Sequence, residues 1–497
     1  MPSGARKWLT PAAWIAAVTG ALLLLFPYGF PNYDTIYALL WGRELAHGVS
    51  PDYGAALPPT PHPLADLLGL VTTPLGNGTI DVTMAIAYAS LGLVGYLVYR
   101  LGSLWFDRVI GAVAAIIILT RAPYLSNGLR AYVDLPYIAL CLGALTIETK
   151  RPRAGWPILA LLVPAGLLRP EAWLFAGAYW LYLALTLERV EESASLGSLR
   201  SHWRLGWRRE RSPRELTGLA ALGLAAPILW VLFDGITTGN FLYSLTGTQK
   251  TVETLERQTG PVDLVLYGPR RLGEVLQWPG MIGAAGGVAL SLALMRRRAT
   301  VGAVAAALAL GAFALLACAG LAILPRYTML AAAILAIFVA VALLGWRLLG
   351  SEHPWRRRWQ LFAGVVALMF VIWLPNQWSL DSKVNSDLTN QSRIEGDLTD
   401  LADSGAFEPI CGPISVPNHR AVPRLAFSLH IKPTAIVSSS EQKRQPASGY
   451  FLAPASPFVI HNFILDPNDP SRFVNTVVPT GFHLVARNAS WKLYRRC

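Results

Sequence analysis

The chain has 497 residues, 53% hydrophobic and 14% charged, with a mean hydropathy of +0.42 and a formal charge of +12. Soluble domains carry roughly 25% charged residues, so this composition excludes an ordinary soluble protein and indicates a polytopic helical membrane protein. The positive charge does not point to nucleic acid, because the cations follow the loops between apolar segments.

In chain order, apolar segments fall at roughly 11–30, 82–99, 109–120, 134–148, 155–168, 172–188, 216–233, 281–295, 299–323, 328–346 and 360–374. These predict about eleven transmembrane helices. Several are shorter than the roughly 20 residues a straight span needs. The first follows Arg6 and Lys7 and runs into FPYGFPNYD, which has no small-residue cleavage site, so a retained span is expected rather than a signal peptide. With the N-terminus in the cytoplasm, 21 of the 42 basic residues fall in cytoplasmic segments and 9 in external loops. That bias is the positive-inside pattern and accounts for the charge by contact with anionic lipid. No nucleic-acid partner is expected.

The segment from 31 to 81 is a long first external loop. It opens with Asn32-Tyr33-Asp34, continues as an aromatic-rich amphipathic run and ends in a Pro-rich stretch holding His62. An odd number of spans places residues 375–497 outside. There the composition shifts to a polar helix from Asp381, then to strand-like runs TAIVSS, GYFLAP and FVIHNFIL, and to a terminal hairpin turning near Asn488. The expected architecture is a transmembrane domain, 1–374, followed by a small extracytoplasmic α/β domain, 375–497. Cys411 and Cys497 both lie in the latter, where an oxidising compartment permits a disulfide. Cys141 and Cys318 fall in apolar segments.

In this topology the polar residues at span ends gather on the outer face. They include Asp34, Arg43 and His62 in the first loop, Arg130, Tyr132 and Asp134 before the fourth span, Arg169 and Glu171 in LLRPEAW, and Arg326 with Tyr327 in ILPRYTM. Ionisable groups in apolar surroundings are expensive and point to function. Arginines bind phosphate through paired donors, and a carboxylate can take a proton from a hydroxyl. No Gly-rich phosphate loop, Walker motif, HExxH or GxSxG is present, and no zinc spacing. Plainer roles stand beside these: Asp34 can cap a helix, Arg169 can pair with Glu171, and Arg326 can snorkel to headgroups.

Asn32-Tyr33-Asp34 after the first span, the long first loop, Tyr132-Val133-Asp134, LLRPEAW and Arg326-Tyr327 together resemble the GT-C glycosyltransferases over roughly residues 10–375. The similar members are protein O-mannosyltransferases, the aminoarabinose transferase and arabinofuranosyltransferases. The resemblance implies a polyprenyl-phosphate sugar donor, with mannose or arabinofuranose as the sugar. It implies no metal or other cofactor, and Asp34 as general base. Asp134 would be a second acid, and Arg326 and Arg169 would bind the donor phosphate. Thr35 stands where many members carry a second acid. The expected function is an inverting glycosyltransferase of the plasma membrane, probing a glycan, lipid or protein acceptor at the outer face. A transporter or flippase of a lipid-linked glycan, or a non-catalytic assembly protein, are the alternatives.

Overall fold

A computed structural model describes residues 5–194, 198–207, 211–409, 411–440, 447–464 and 474–497. The helices and strands, in chain order, are α1 (Ala5–Leu25), α2 (Tyr33–Ala46), α3 (Pro63–Thr72), α4 (Gly78–Trp105), α5 (Arg108–Leu119), α6 (Ala122–Leu129), α7 (Asp134–Lys150), α8 (Trp156–Leu168) and α9 (Glu171–Ala184). A hairpin of β1 (Leu185–Ala194) and β2 (Ser198–Trp207) follows, then α10 (Pro213–Thr238), α11 (Tyr243–Thr254), α12 (Gly260–Leu294), α13 (Arg296–Cys318), α14 (Met329–Leu344) and α15 (Arg356–Asp403). The C-terminal unit adds β3 (Ile414–Val416), α16 (Val422–Leu429), β4 (Ile436–Ser438), β5 (Gly449–Pro454), β6 (His483–Arg487) and β7 (Trp491–Arg496).

Each of the eleven apolar segments contains a helix. Among the described residues six helices, α4, α10, α12, α13, the Pro325–Leu348 run around α14, and α15, are long and apolar enough to cross a membrane. The pair α5 and α6, bent by 65°, makes a seventh if counted as one span. The chain is a multi-pass helical membrane protein. α14 forms the centre of the bundle: every residue from Met329 to Ile334 and from Ala336 to Ala342 is buried. Its neighbours include α12, α5, α13 and α15. Close approach to α12 depends on Gly287, where a Cβ would lie 1.9 Å from the Phe338 carbonyl oxygen.

α12 differs from the sequence expectation. Only its second half was expected as a span; the helix begins 21 residues earlier and breaks at Gln277, whose φ is 62°. Pro279 lies beside the break and has no N–H to donate, which interrupts the ladder.

Within the first loop, α2 and α3 cross closely. A Cβ on Gly42 would meet the Asp66 carbonyl oxygen at 2.3 Å, and one on Gly69 would meet the Ala38 carbonyl oxygen at 2.8 Å. The loop is therefore a packed two-helix unit. One side of α2 belongs to the C-terminal core: Ile36, Tyr37, Leu39, Leu40 and Trp41 share a buried cluster with Ile394, Val422, Leu425 and Trp491. α15 runs unbroken through residue 375, so its polar second half carries the helix into the C-terminal unit.

That unit holds a five-stranded mixed sheet in the order β4-β3-β5-β7-β6, parallel at β3–β4 and β3–β5 and antiparallel at β5–β7 and β6–β7. TAIVSS, GYFLAP and the terminal hairpin supply strands. FVIHNFIL does not: the described part is a helical turn followed by a π-helical turn at Ile460–Ile464. Its β-favouring residues bury Val459, Phe463 and Ile464 against the sheet core instead. A disulfide joins Cys411 to Cys497 across 86 residues and fastens the chain end to the start of the unit.

Candidate active site

The site is built from the start of α2. Asn32 is its N-cap, and its side chain accepts from the backbone N–H groups of Asp34 at 2.8 Å and Thr35 at 3.2 Å. The same side chain donates to the Arg130 carbonyl oxygen at 2.8 Å, and the Thr35 hydroxyl donates to the Ala131 carbonyl oxygen at 2.7 Å. One cap thus fixes α2 and the 130–132 turn together, which places Asp34 beside Tyr132. Sequence reasoning named Asn32 and Thr35 but gave neither a part in capping α2, although an Asn before a helical run is a start signal.

Arg326 enters from the short turn before α14. Its Nη1 donates to Asp34 Oδ2 at 3.1 Å, and both side chains keep about a quarter of their surface exposed. The guanidinium lies over the rings of Tyr132, at 5.6 Å, and Tyr327, at 5.3 Å. Such cation–π contacts fix its plane. Its Nε is buried and has no hydrogen-bond partner among the described residues.

Beside this pair lies a second, buried ionic group. Arg169 donates to Asp134 Oδ1 at 2.6 Å and to Glu171 Oε1 at 2.9 Å, and stacks over Tyr327 at 4.4 Å. All three charged residues are at most 5% exposed. Tyr327 is sandwiched between the two arginines, so it couples the buried triad to the Asp34–Arg326 pair.

A cavity of about 1360 Å³ adjoins these groups. Tyr33, Asp34, His62, Arg130, Tyr132, Arg169, Glu171, Arg326 and Tyr327 all line it. Its walls also carry apolar side chains of α9, α10, α11 and α13, including Leu174, Leu245 and Leu315, which are exposed. The C-terminal unit contributes His419 and Arg420, which nothing in the sequence had marked. Arg130 is held by Ser126 and by Gln391 at 3.2 Å. The Tyr33 hydroxyl donates to the Leu57 carbonyl oxygen at 3.0 Å.

Two expected site residues are placed elsewhere. Arg43 does not line the cavity. It donates to the Phe427 carbonyl oxygen at 3.0 Å and lies over the Phe427 ring, holding α2 to α16. Asp134 is 1% exposed, locked to Arg169 and outside the cavity lining, so it orients an arginine rather than touching a ligand.

His62 lines the cavity with its ring edge-on to Trp230 at 5.8 Å. Burial, reinforced by cationic Arg169, pushes its imidazole down to about 3. Both effects favour the neutral imidazole. The unfolded chain, with a histidine near 6.5, takes up this proton first. The folded state therefore loses stability as pH falls from about 6.5 toward 3. Melting temperatures measured across that window should fall less steeply in His62→Gln than in the wild type; identical slopes would contradict the burial effect.

No family model matches the sequence, and no curated protein matches it. Among solved structures, ArnT from Cupriavidus metallidurans bound to undecaprenyl phosphate aligns with 99% of this chain and 98% of its own, at 14% identity and a TM-score of 0.55. The chain has the GT-C fold. ArnT in the apo state gives the same coverage with a TM-score of 0.51. The oligosaccharyltransferase AglB from Archaeoglobus fulgidus matches more distantly, with 11% identity over 86% of this chain and a TM-score of 0.45. At these identities the likeness is one of fold, and the chemistry of this GT-C chain has to be argued from its own side chains.

Proposed function

We propose that this chain is an inverting glycosyltransferase that moves a sugar from a polyprenyl-phosphate donor to an acceptor hydroxyl at the extracytoplasmic membrane face. The observation that carries the reading is the Asp34–Arg326 pair, a carboxylate and a guanidinium 3.1 Å apart on one cavity wall. A displacement at an anomeric carbon needs a base on the acceptor side and a cation at the departing phosphate.

In this mechanism the acceptor oxygen forms a bond to the anomeric carbon as the bond from that carbon to the phosphate oxygen breaks. The acceptor's proton passes to Asp34. The electron pair of the broken bond stays on the phosphate, which changes from a singly charged diester to a monoester. Arg326, with its Nε not engaged by the described residues, stabilises that added charge more than it stabilises the donor. Arg169, its charge met by Asp134 and Glu171, holds the Tyr327 ring against which Arg326 packs. In this reading Arg326 meets the phosphate charge and the transfer calls for no metal ion.

The exposed apolar residues among the lining, such as Leu245 and Leu315, suit an isoprenoid chain passing from the bilayer to the arginines. The charge bias across the loops supports a cytoplasmic N-terminus and, with an odd number of spans, an external C-terminal unit. Mannose- or arabinofuranose-like sugars fit the reading. The test is to supply protein in nanodiscs with labelled polyprenyl-phosphate sugars. Release of polyprenyl phosphate, with an anomerically inverted product and no loss of rate in EDTA, is expected. Turnover of none of these donors, or a retained anomer, would overturn it.

A further inference from the structure

A second cavity, of about 710 Å³, lies between residues 53–61 of the first loop, α11 and the β4 edge of the C-terminal sheet. It shares one wall with the larger cavity: Leu57 to Thr60, with Ser244, Thr248 and Thr251, line both. The shared wall is built, not incidental. Tyr33, next to Asp34, donates its hydroxyl to the Ala56 and Leu57 carbonyl oxygens, and Thr60 is hydrogen-bonded to Thr248. Leu57 holds a φ of 48°, uncommon for a residue with a side chain.

The lining differs from that of the larger cavity in kind. Among the described residues Lys250 is its one charged group, and no arginine or carboxylate reaches it. Thr248, Thr251 and Thr254 recur every third position, so they lie on one stripe of α11. Each donates its proton to a carbonyl of its own helix, at 2.6, 3.0 and 2.8 Å respectively. The oxygens of Thr251 and Thr254 are left as acceptors at the cavity, while that of Thr248 already accepts from Thr60. A stripe of acceptors suits a ligand rich in O–H donors, and Lys250 is the one described lining group with a charge to offer an anion. Tyr53 and Tyr243, with ring centres 5.2 Å apart, add faces for the C–H side of a sugar ring.

We propose that this cavity is the acceptor site, and that the acceptor is a neutral, polyhydroxylated glycan. The proposal rests on the transferase reading above and deepens it. The acceptor would present a hydroxyl past the 57–60 wall, whose near end is fastened by Tyr33, the residue beside the base.

Gly247 gives a clean test. It lines this cavity and not the larger one, and a Cβ built on it meets nothing within 4 Å. Gly247→Trp should fill the space without displacing α11, whereas Gly247→Ala should not. Binding of maltotetraose, xylotetraose, trigalacturonate and a Thr-rich peptide to the full chain in nanodiscs is measured, with undecaprenyl phosphate as the donor-site probe. A neutral tetrasaccharide should bind the wild type and Gly247→Ala, and bind Gly247→Trp at least tenfold more weakly. Tyr243→Leu, which removes a stacking face, should weaken it similarly. Undecaprenyl phosphate should bind all four proteins alike. No binding of either neutral sugar, equal binding to Gly247→Trp, or tighter binding of the acid or the peptide would overturn the proposal. Because the readout is binding, it stands apart from whether Asp34 proves to be the base.

Discussion

Asn in place of Asp34 is expected to cut sugar transfer by a factor of about 10²–10⁴, the range that positioned acid–base groups supply. The substitution isolates the chemistry. The N-cap of α2 is Asn32, not Asp34, so the helix start survives. The amide oxygen can still accept from Arg326, so the arginine keeps its place over Tyr132 and Tyr327. Only the ability to take a proton is lost. Asp34→Glu keeps the carboxylate but moves it by one methylene, and should retain a small part of the rate. Initial rates with a saturating donor check both. A rate for Asp34→Asn within about threefold of the wild type would remove Asp34 from the mechanism.

The second large effect concerns stability. Arg169→Met leaves Asp134 and Glu171 buried without their cation, and breaking a buried ionic group in this way costs about 3–5 kcal/mol. Both carboxylates are nearly inaccessible, so water cannot substitute for the guanidinium. The melting temperature in detergent should fall by many degrees. Adding Asp134→Asn and Glu171→Gln to Arg169→Met should recover much of the loss, because the uncompensated charges are gone. That recovery distinguishes an ionic effect from the mere loss of arginine packing on Tyr327. An unchanged melting temperature in Arg169→Met would contradict the buried triad.

Much of this was legible in the chain. The apolar segments and their charged flanks gave the helices, because burial in lipid demands long apolar runs whatever the tertiary packing. The polar turns at their ends gave Asp34, Arg169 and Arg326, since charges in such places are too costly to be common. Arg43 shows where the reading stopped. It is nine positions after Asp34 on α2, which at 3.6 residues per turn is two and a half turns. The two side chains must face opposite ways, one to the cavity and one to α16, and the loop position alone did not say which side held the ligand. Asp134 was marked for the right reason, but whether a carboxylate touches a ligand or an arginine depends on the helix packed across from it. His419 and Arg420 reach the cavity only because α2 is shared with the C-terminal core, a contact between residues nearly 400 apart in sequence. Nothing local encodes it.

The account turns on Arg326 holding the lipid phosphate beside Asp34. The most direct measurement is equilibrium binding of undecaprenyl phosphate to the wild type, Asp34→Asn and Arg326→Gln in nanodiscs. The account predicts that Arg326→Gln binds at least tenfold more weakly, in keeping with loss of a charge-assisted contact. It predicts that Asp34→Asn binds as well as the wild type or better, since a neighbouring negative charge is removed. Equal binding by Arg326→Gln and the wild type would contradict it.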